Sequence, residues 1–272
     1  MNKIGIIGGG GQLPLAIGKS LLNKNFRVVF FILEEFYNNN SYKDLEVIRI
    51  NLHSAKKIIQ ILKLNNINSI IMAGNISRPS LTDLNFDFQT FKLAKKLLLN
   101  KTGDNSLLVS IKNFFSENGF KYFDWKTHCQ ELFADEKYLS STKPSLKAKK
   151  NLEKSLSVFK VFGKLDIGQS IIVQNQIVLG VEAVEGTDNL IIRCKDLKKS
   201  GDRGILTKFS KYKQSNIIDV PTIGEKTIKL LKENNYEGVF IEKNNCIILD
   251  KHKTIDLANK YNIFISTCSK IE

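Results

Sequence analysis

A short apolar run from Lys3 to Ile7 ends in four consecutive glycines, Gly8 to Gly11, followed by "QLPLAIGKS". An isoleucine-rich run of this length reads as a buried strand. Glycines directly after it force a tight turn and let backbone N–H groups approach a ligand at the start of the next helix. Pro14 falls in the first turn of the helix expected over 14–24, where its missing N–H costs nothing. A dinucleotide fingerprint needs a third glycine or alanine, but that position falls on Leu13 or Pro14. Gly18-Lys19-Ser20 resembles the end of a P-loop, yet its first glycine would be Leu13 and Lys19 sits inside the helix. Two readings remain open: a plain tight turn, or a ligand-facing loop formed by Gly9, Gly10, Gly11 and Gln12.

Beyond this turn the chain alternates strand with helix. Strands are expected at 26–33, 45–50 and 67–74, and helices at 54–65, 84–100 and 105–118. That alternation predicts a parallel, doubly wound sheet, so residues 1–135 form a Rossmann-like N-terminal domain. Residues 136–162 carry seven lysines against two acids, with no clean apolar period until near the end. We read 136–158 as a linker and connecting helix. A second α/β domain, 159–272, is expected beyond it. Two of its strands flank a turn at Asn175-Gln176, and helices are expected near 189–198, 223–234 and 252–260. Further strands are expected at 204–209, 237–242, 245–249 and 262–266.

The net charge of +14 invites a nucleic-acid reading. Of 41 basic residues only five are arginine, leaving 36 lysines, and 26 asparagines accompany them. This is a chain-wide bias and lacks the clustered basic face of a nucleic-acid binder, so no nucleic-acid partner is expected and that class ranks last. The longest apolar run, Val28 to Leu33, is six residues; a membrane span needs about 20. No signal peptide is expected, because glycines interrupt the first apolar run. Cys129, Cys194, Cys246 and Cys268 show no metal-binding spacing, which predicts reduced thiols in a cytoplasmic protein. His53, His128 and His252 are too scattered for a histidine-rich metallophosphoesterase, and no Nudix-type glutamate cluster occurs.

Three further stretches carry chemistry. In "KTGDNSLL" (101–108), Asp104 or Asn105 suits a helix N-cap, and Gly103, Asp104 and Asn105 suit a ligand-facing loop. In "GVEAVEGTDNLIIR" (180–193), a strand ends beside Glu182, Glu185, Thr187 and Asp188, with Asp188 able to cap the next helix. Carboxylates there suit Mg²⁺, which takes one or two of them together with substrate phosphates. In "KFSKYKQSNIIDVPTIGEKT" (208–227), Thr222 and Glu225 form a T-x-x-E capping box. Asp219 precedes it, behind Lys208, Lys211 and Lys213. Lysines that neutralise phosphate oxygens beside an acid that binds metal or activates water suit phosphoryl chemistry.

Taken together, "IGIIGGGGQLPLAI", "MAGNISRPSLTDL" (72–84), "KTGDNSLL", "LDIGQSIIVQNQIVLGVEAVEGTDNLIIR" (165–193) and "DVPTIGEKT" (219–227) resemble the LpxI family in order and spacing. The family comprises UDP-2,3-diacylglucosamine pyrophosphatases of lipid A synthesis. The resemblance implies Mg²⁺-dependent hydrolysis of a pyrophosphate bond between two α/β domains, giving UMP and 2,3-diacylglucosamine 1-phosphate. It implies Asp219 as the essential aspartate and Asp188 as the matching acid of the EGTD motif. Joined to the reading of the residues, it leads us to expect Asp188 and Lys211 also to be catalytic and Glu185, Asp188 and Asp219 to surround Mg²⁺. The substrate would meet the glycine loop, Gly74, Arg78, Gly103, Asp104, Asn105, Thr187 and Gln214. Two positions depart from the family pattern: Ile217 replaces an expected arginine, and Asn105 replaces a second aspartate. Lys208 or Lys213 supplies point charge in place of the arginine, without its bidentate geometry. The partner implied is a lipid-linked nucleotide sugar, with contact at the cytoplasmic face of the inner membrane and homo-oligomerisation left open. The alternative class is a non-catalytic nucleotide-sugar or lipid-binding protein.

Overall fold

The computed structural model describes residues 3–51, 55–75, 104–165, 167–211 and 220–270, with backbone alone over 104–110. The helix expected over 84–100 lies outside them. The chain divides into two compact units, 1–129 and 130–272.

In the first unit, β1 (Lys3–Gly8) leads into α1 (Leu13–Asn23), and β2 (Val28–Leu33) and β3 (Val47–Ile50) follow. Next come α2 (Ala55–Leu64), β4 (Ile67–Ala73), α3 (Asp104–Glu117), β5 (Lys121–Tyr122) and the one-turn α4 (Trp125–His128). The sheet order is β3-β2-β1-β4-β5, and every pairing is parallel. The parallel sheet is the one that the alternation predicted, and its order is of Rossmann type. All six residues of β2 are buried, as a parallel strand covered on both faces requires. Its Val29, Phe31 and Leu33 pack with Ile58, Leu62 and Phe115 in one core.

The glycine in "GKS" has a packing role. A Cβ on Gly18 would stand 2.1 Å from Phe30 Cζ, so the glycine lets α1 lie close against β2. Lys19 beside it lies within α1 and is exposed.

Asparagine abundance also has a local cause. α1 closes with Asn25 at φ 63, where Phe26 N–H donates to Leu21 O at 3.1 Å and Asn25 N–H to Leu22 O at 2.9 Å. That is a Schellman closure, and asparagine tolerates the left-handed conformation it needs better than most residues.

The second unit contains α5 (Leu146–Phe162), the hairpin β6 (Ser170–Gln174) and β7 (Ile177–Val181), α6 (Gly186–Lys195) and β8 (Ile205–Lys208). It continues with β9 (Thr222–Ile223), α7 (Glu225–Glu233), β10 (Gly238–Glu242), β11 (Ile247–Ile248), α8 (Lys251–Tyr261) and β12 (Phe264–Cys268). The main sheet runs β12-β10-β8-β6-β7, parallel across β12, β10 and β8 and antiparallel at β6 and β7. β9 and β11 form a small parallel pair. The hairpin turn falls where expected: Asn175 and Gln176 take φ 50 and φ 59, the two positive values of a type I′ turn. Asparagine closures recur at Asn235 after α7 and Asn262 after α8, both at positive φ.

The lysine-rich stretch belongs to the second unit. Ser145 caps α5 by accepting from Ala148 N–H, and Glu237 accepts from both Ser145 N–H (2.8 Å) and its hydroxyl (3.0 Å). Ala148, Phe159 and Phe162 pack on Ile171, Phe209, Phe240 and Phe264, while the lysines of α5 face outward. The opposite face of the sheet packs on α6, α7 and α8 through residues including Leu190, Ile228 and Ala258.

Two local expectations are corrected. The T-x-x-E box at Thr222 does not form, because Thr222 is in β9 and its hydroxyl donates to Val220 O at 3.0 Å. α7 starts at Glu225, where Thr227 Oγ1 accepts from Gly224 N–H at 3.4 Å. Strand pairing with β11 outcompetes the cap. Asp188 is not a cap either: α6 begins at Gly186, earlier than expected, and holds Asp188 in its first turn.

Candidate functional site

At the carboxyl end of β8, a lysine terminates the buried run Ile205-Leu206-Thr207. The backbone of Lys208 pairs with Ser170 of β6, and β10 flanks β8 on the other side. That central position buries Lys208 to 9% exposure. Its Nζ donates to Thr187 Oγ1 at 2.8 Å. The Thr187 hydroxyl donates in turn to Glu182 Oε1 at 2.9 Å and lies 3.2 Å from Ser170 Oγ. Glu182 Oε2 accepts from Gln169 N–H at 3.0 Å. Among the described residues no carboxylate stands within 4 Å of the ammonium. A buried ammonium needs hydrogen-bond acceptors, and here Thr187, itself bonded to the Glu182 carboxylate, supplies one.

The flanking segments are held to this edge by backbone packing. A Cβ on Gly168 would stand 2.1 Å from Glu182 O, so the "DIGQ" glycine lets the segment leading into β6 press on the loop after β7. Lys211, only 7% exposed, comes after Lys208 on the same connection. Lys213, Gln214, Ile217 and Asp219 come next and lie outside the described residues.

Asp188 and Glu185 differ in availability. Asp188 Oδ2 pairs with Lys226 Nζ at 2.7 Å across the starts of α6 and α7, and the two side chains are 39% and 78% exposed. Solvent screens such a pair. The hydrogen bond to Asp188, then its charge, raises the Lys226 ammonium above its ordinary pKa. Glu185 is engaged more firmly. Arg193 donates to Glu185 Oε1 from Nε at 3.1 Å and from Nη2 at 2.8 Å, and Ala183 N–H donates to Oε2 at 3.1 Å. Desolvation opposes ionisation of Glu185, but Arg193 and the backbone donors outweigh it and hold the carboxyl below its usual range. Among the described residues, no three His, Cys, Asp or Glu side chains converge on one point.

In the first unit the glycine turn is largely occupied by its own backbone. Gly9 N–H donates to Ala73 O at 3.0 Å, and Gly10 exchanges two bonds with Asn75 at 2.7 and 2.9 Å. Gly74 makes this approach possible. Its φ is +88, and a Cβ there would stand 2.6 Å from Gly10 O. The amides of Gly9 and Gly10 therefore tie the turn to the end of β4. Gly11, at φ +84, has open space where a Cβ would stand, and Gln12 is exposed. The backbone of Asp104 and Asn105 opens α3; their side chains, together with Arg78 and Gly103, lie outside the described residues.

The linking role of Ser170 and Glu182 was not legible beforehand, because their partners are 17 and 5 residues from them in sequence, at Thr187. The available signal was a lysine ending an otherwise apolar strand.

A Rossmann-type parallel sheet, followed by a mixed sheet whose strand β8 ends in a buried lysine, defines a two-domain α/β protein. The chain belongs to the LpxI family, whose N-terminal domain matches residues 3–132 and whose C-terminal domain matches residues 135–266. It is 28% identical over 274 residues to the UDP-2,3-diacylglucosamine pyrophosphatase LpxI of Caulobacter vibrioides, covering 97% of each chain. Among solved structures, the CobK precorrin-6A reductase aligns with 100% of this chain and 89% of its own at 9% identity and a TM-score of 0.32. The N5-carboxyaminoimidazole ribonucleotide synthetase of Thermotoga maritima aligns with 70% of this chain and 43% of its own at 17% identity and a TM-score of 0.22. Scores this low carry no argument about fold or function. Among the described residues, no helix is long and apolar enough to cross a membrane.

Proposed function

We propose that the chain hydrolyses the pyrophosphate bond of UDP-2,3-diacylglucosamine, releasing UMP and 2,3-diacylglucosamine 1-phosphate in lipid A synthesis. The observation that carries this reading is the match to the Caulobacter relative over 97% of both chains. The buried strand-end lysine supports it. An ammonium has three N–H donors, and Lys208 commits one of them to Thr187. We assign the remaining donors, together with Lys211 and Gln214, to phosphate oxygens. Thr187 keeps the ammonium aimed, and Glu182 and Ser170 hold Thr187. Asp219 is assigned to orient the attacking water or hold metal. Gly11 and Gln12 are assigned to the nucleotide part of the substrate.

The family resemblance implies Mg²⁺. The side chain that suits it best is Asp188, an oxygen donor whose exposed partner Lys226 a cation can displace. Glu185 fits less well, because Arg193 already neutralises it. When bound, Mg²⁺ would neutralise pyrophosphate charge and polarise a phosphoryl oxygen. We place the reaction in the cytoplasm beside the inner membrane, where a lysine-rich surface favours anionic headgroups.

The test is UMP release from UDP-2,3-diacylglucosamine by purified protein, with Mg²⁺ and with EDTA. Magnesium-dependent release that falls at least a hundredfold in Asp219→Asn supports the reading. Ligand binding with no release under either condition would replace it with the non-catalytic binding class.

A further inference from the structure

A second buried cluster adjoins the proposed site and has no role in the proposed reaction. Glu242 ends β10 and is 6% exposed. Its Oε2 accepts from Ser210 N–H and from Ser210 Oγ, both at 2.7 Å. Its Oε1 accepts from Asn245 Nδ2 at 3.0 Å and pairs with Lys270 Nζ at 3.3 Å. Lys270 Nζ also donates to Ser210 Oγ at 2.7 Å. Ser210 therefore sits between a carboxylate and an ammonium, both reaching it from other parts of the chain. Phe209 N–H donates to Gln169 O at 2.8 Å, so both residues between β8 and Lys211 are fixed.

A buried ion pair is weak evidence for stability, since apolar residues of like volume often serve as well. Here the pair orients one short piece of backbone. Resting on the proposed pyrophosphatase function, we infer that Glu242 and Lys270 are positioning residues. By clamping Ser210 they set where the next residue, Lys211, presents its ammonium. Neither residue need touch substrate.

The test is a double-mutant cycle on UMP release between Glu242→Gln and Lys211→Ala, with melting temperature followed for each variant. Gln keeps the shape of Glu242 but cannot accept on both atoms. If Glu242 acts through Lys211, each single change lowers kcat/KM at least tenfold, mostly through KM. The double variant then falls no further than the weaker single. A Glu242→Gln enzyme within twofold of wild type overturns the proposal, as does a double variant whose losses multiply. If Glu242→Gln does not fold, Ser210→Ala, which removes one hydroxyl, enters the same cycle with the same criteria. An inactive wild type overturns the functional reading and this proposal with it, whereas an active wild type with independent losses overturns this proposal alone.

Discussion

Thr187→Val is the sharpest probe of the strand-end cluster, because it keeps shape and removes one hydroxyl. That hydroxyl accepts from Lys208 Nζ at 2.8 Å and donates to Glu182 Oε1 at 2.9 Å. Each bond involves a charged partner, and such bonds are worth about 1.5–3 kcal/mol. Their sum, roughly 3–6 kcal/mol, is an upper bound, because Glu182 keeps its bond from Gln169 N–H and the neighbours relax. We expect a loss of about 3 kcal/mol, or about 10 °C in melting temperature for a unit of this size. Calorimetry on the full chain at neutral pH measures it, with UMP release recorded alongside. Thr187→Ser, which restores the hydroxyl, should recover most of the loss. A Thr187→Val protein melting within about 2 °C of wild type would refute the reasoning, since a buried ammonium that loses its hydroxyl acceptor should cost about 3 kcal/mol.

Three more outcomes are expected. Lys226→Ala should leave the melting temperature almost unchanged, since an exposed pair contributes at most about 1 kcal/mol; Asp188→Asn should match it in stability yet lower UMP release at least tenfold. Gly18→Ala should destabilise the first unit by about 1–2 kcal/mol in a denaturant melt, because overpacking against buried Phe30 costs about 1–3 kcal/mol and alanine's helix propensity returns up to about 1. Burial pushes the Cys246 thiol up to about 12, so the folded state keeps its proton where the unfolded chain has lost it. Its contribution is full below the unfolded value near 9 and is lost as pH rises toward 12. Denaturant melts from pH 8 to 11 should show wild type losing stability faster than Cys246→Ala, and equal slopes would contradict that sign.

Much of the chain was legible before any fold was known. The strand at Val28–Leu33 was plain because a strand buried on both faces is apolar throughout. The turn at Asn175-Gln176 was plain because two polar residues separate two apolar runs and asparagine suits the left-handed region. The helix start at Glu225 was misplaced, because a local cap motif competed with a pairing to β11 that comes from 25 residues downstream. The glycine turn was half understood: its tightness was foreseen, but not that Gly9 and Gly10 spend their amides on the end of β4.

The sequence by itself determined the order of elements, the tight turn after β1, the family, and which stretches bear charge suited to phosphate. Those are properties of near neighbours along the chain, set by side-chain period, backbone freedom and local hydrogen bonding. Only the tertiary structure decided that β6 runs antiparallel beside β8, which buries Lys208 against Thr187, and that Glu242 and Lys270 close on Ser210. Such pairings join residues up to 60 positions apart. They arise because a buried polar group takes whichever partner the packed sheet brings within reach, and no local pattern records that partner.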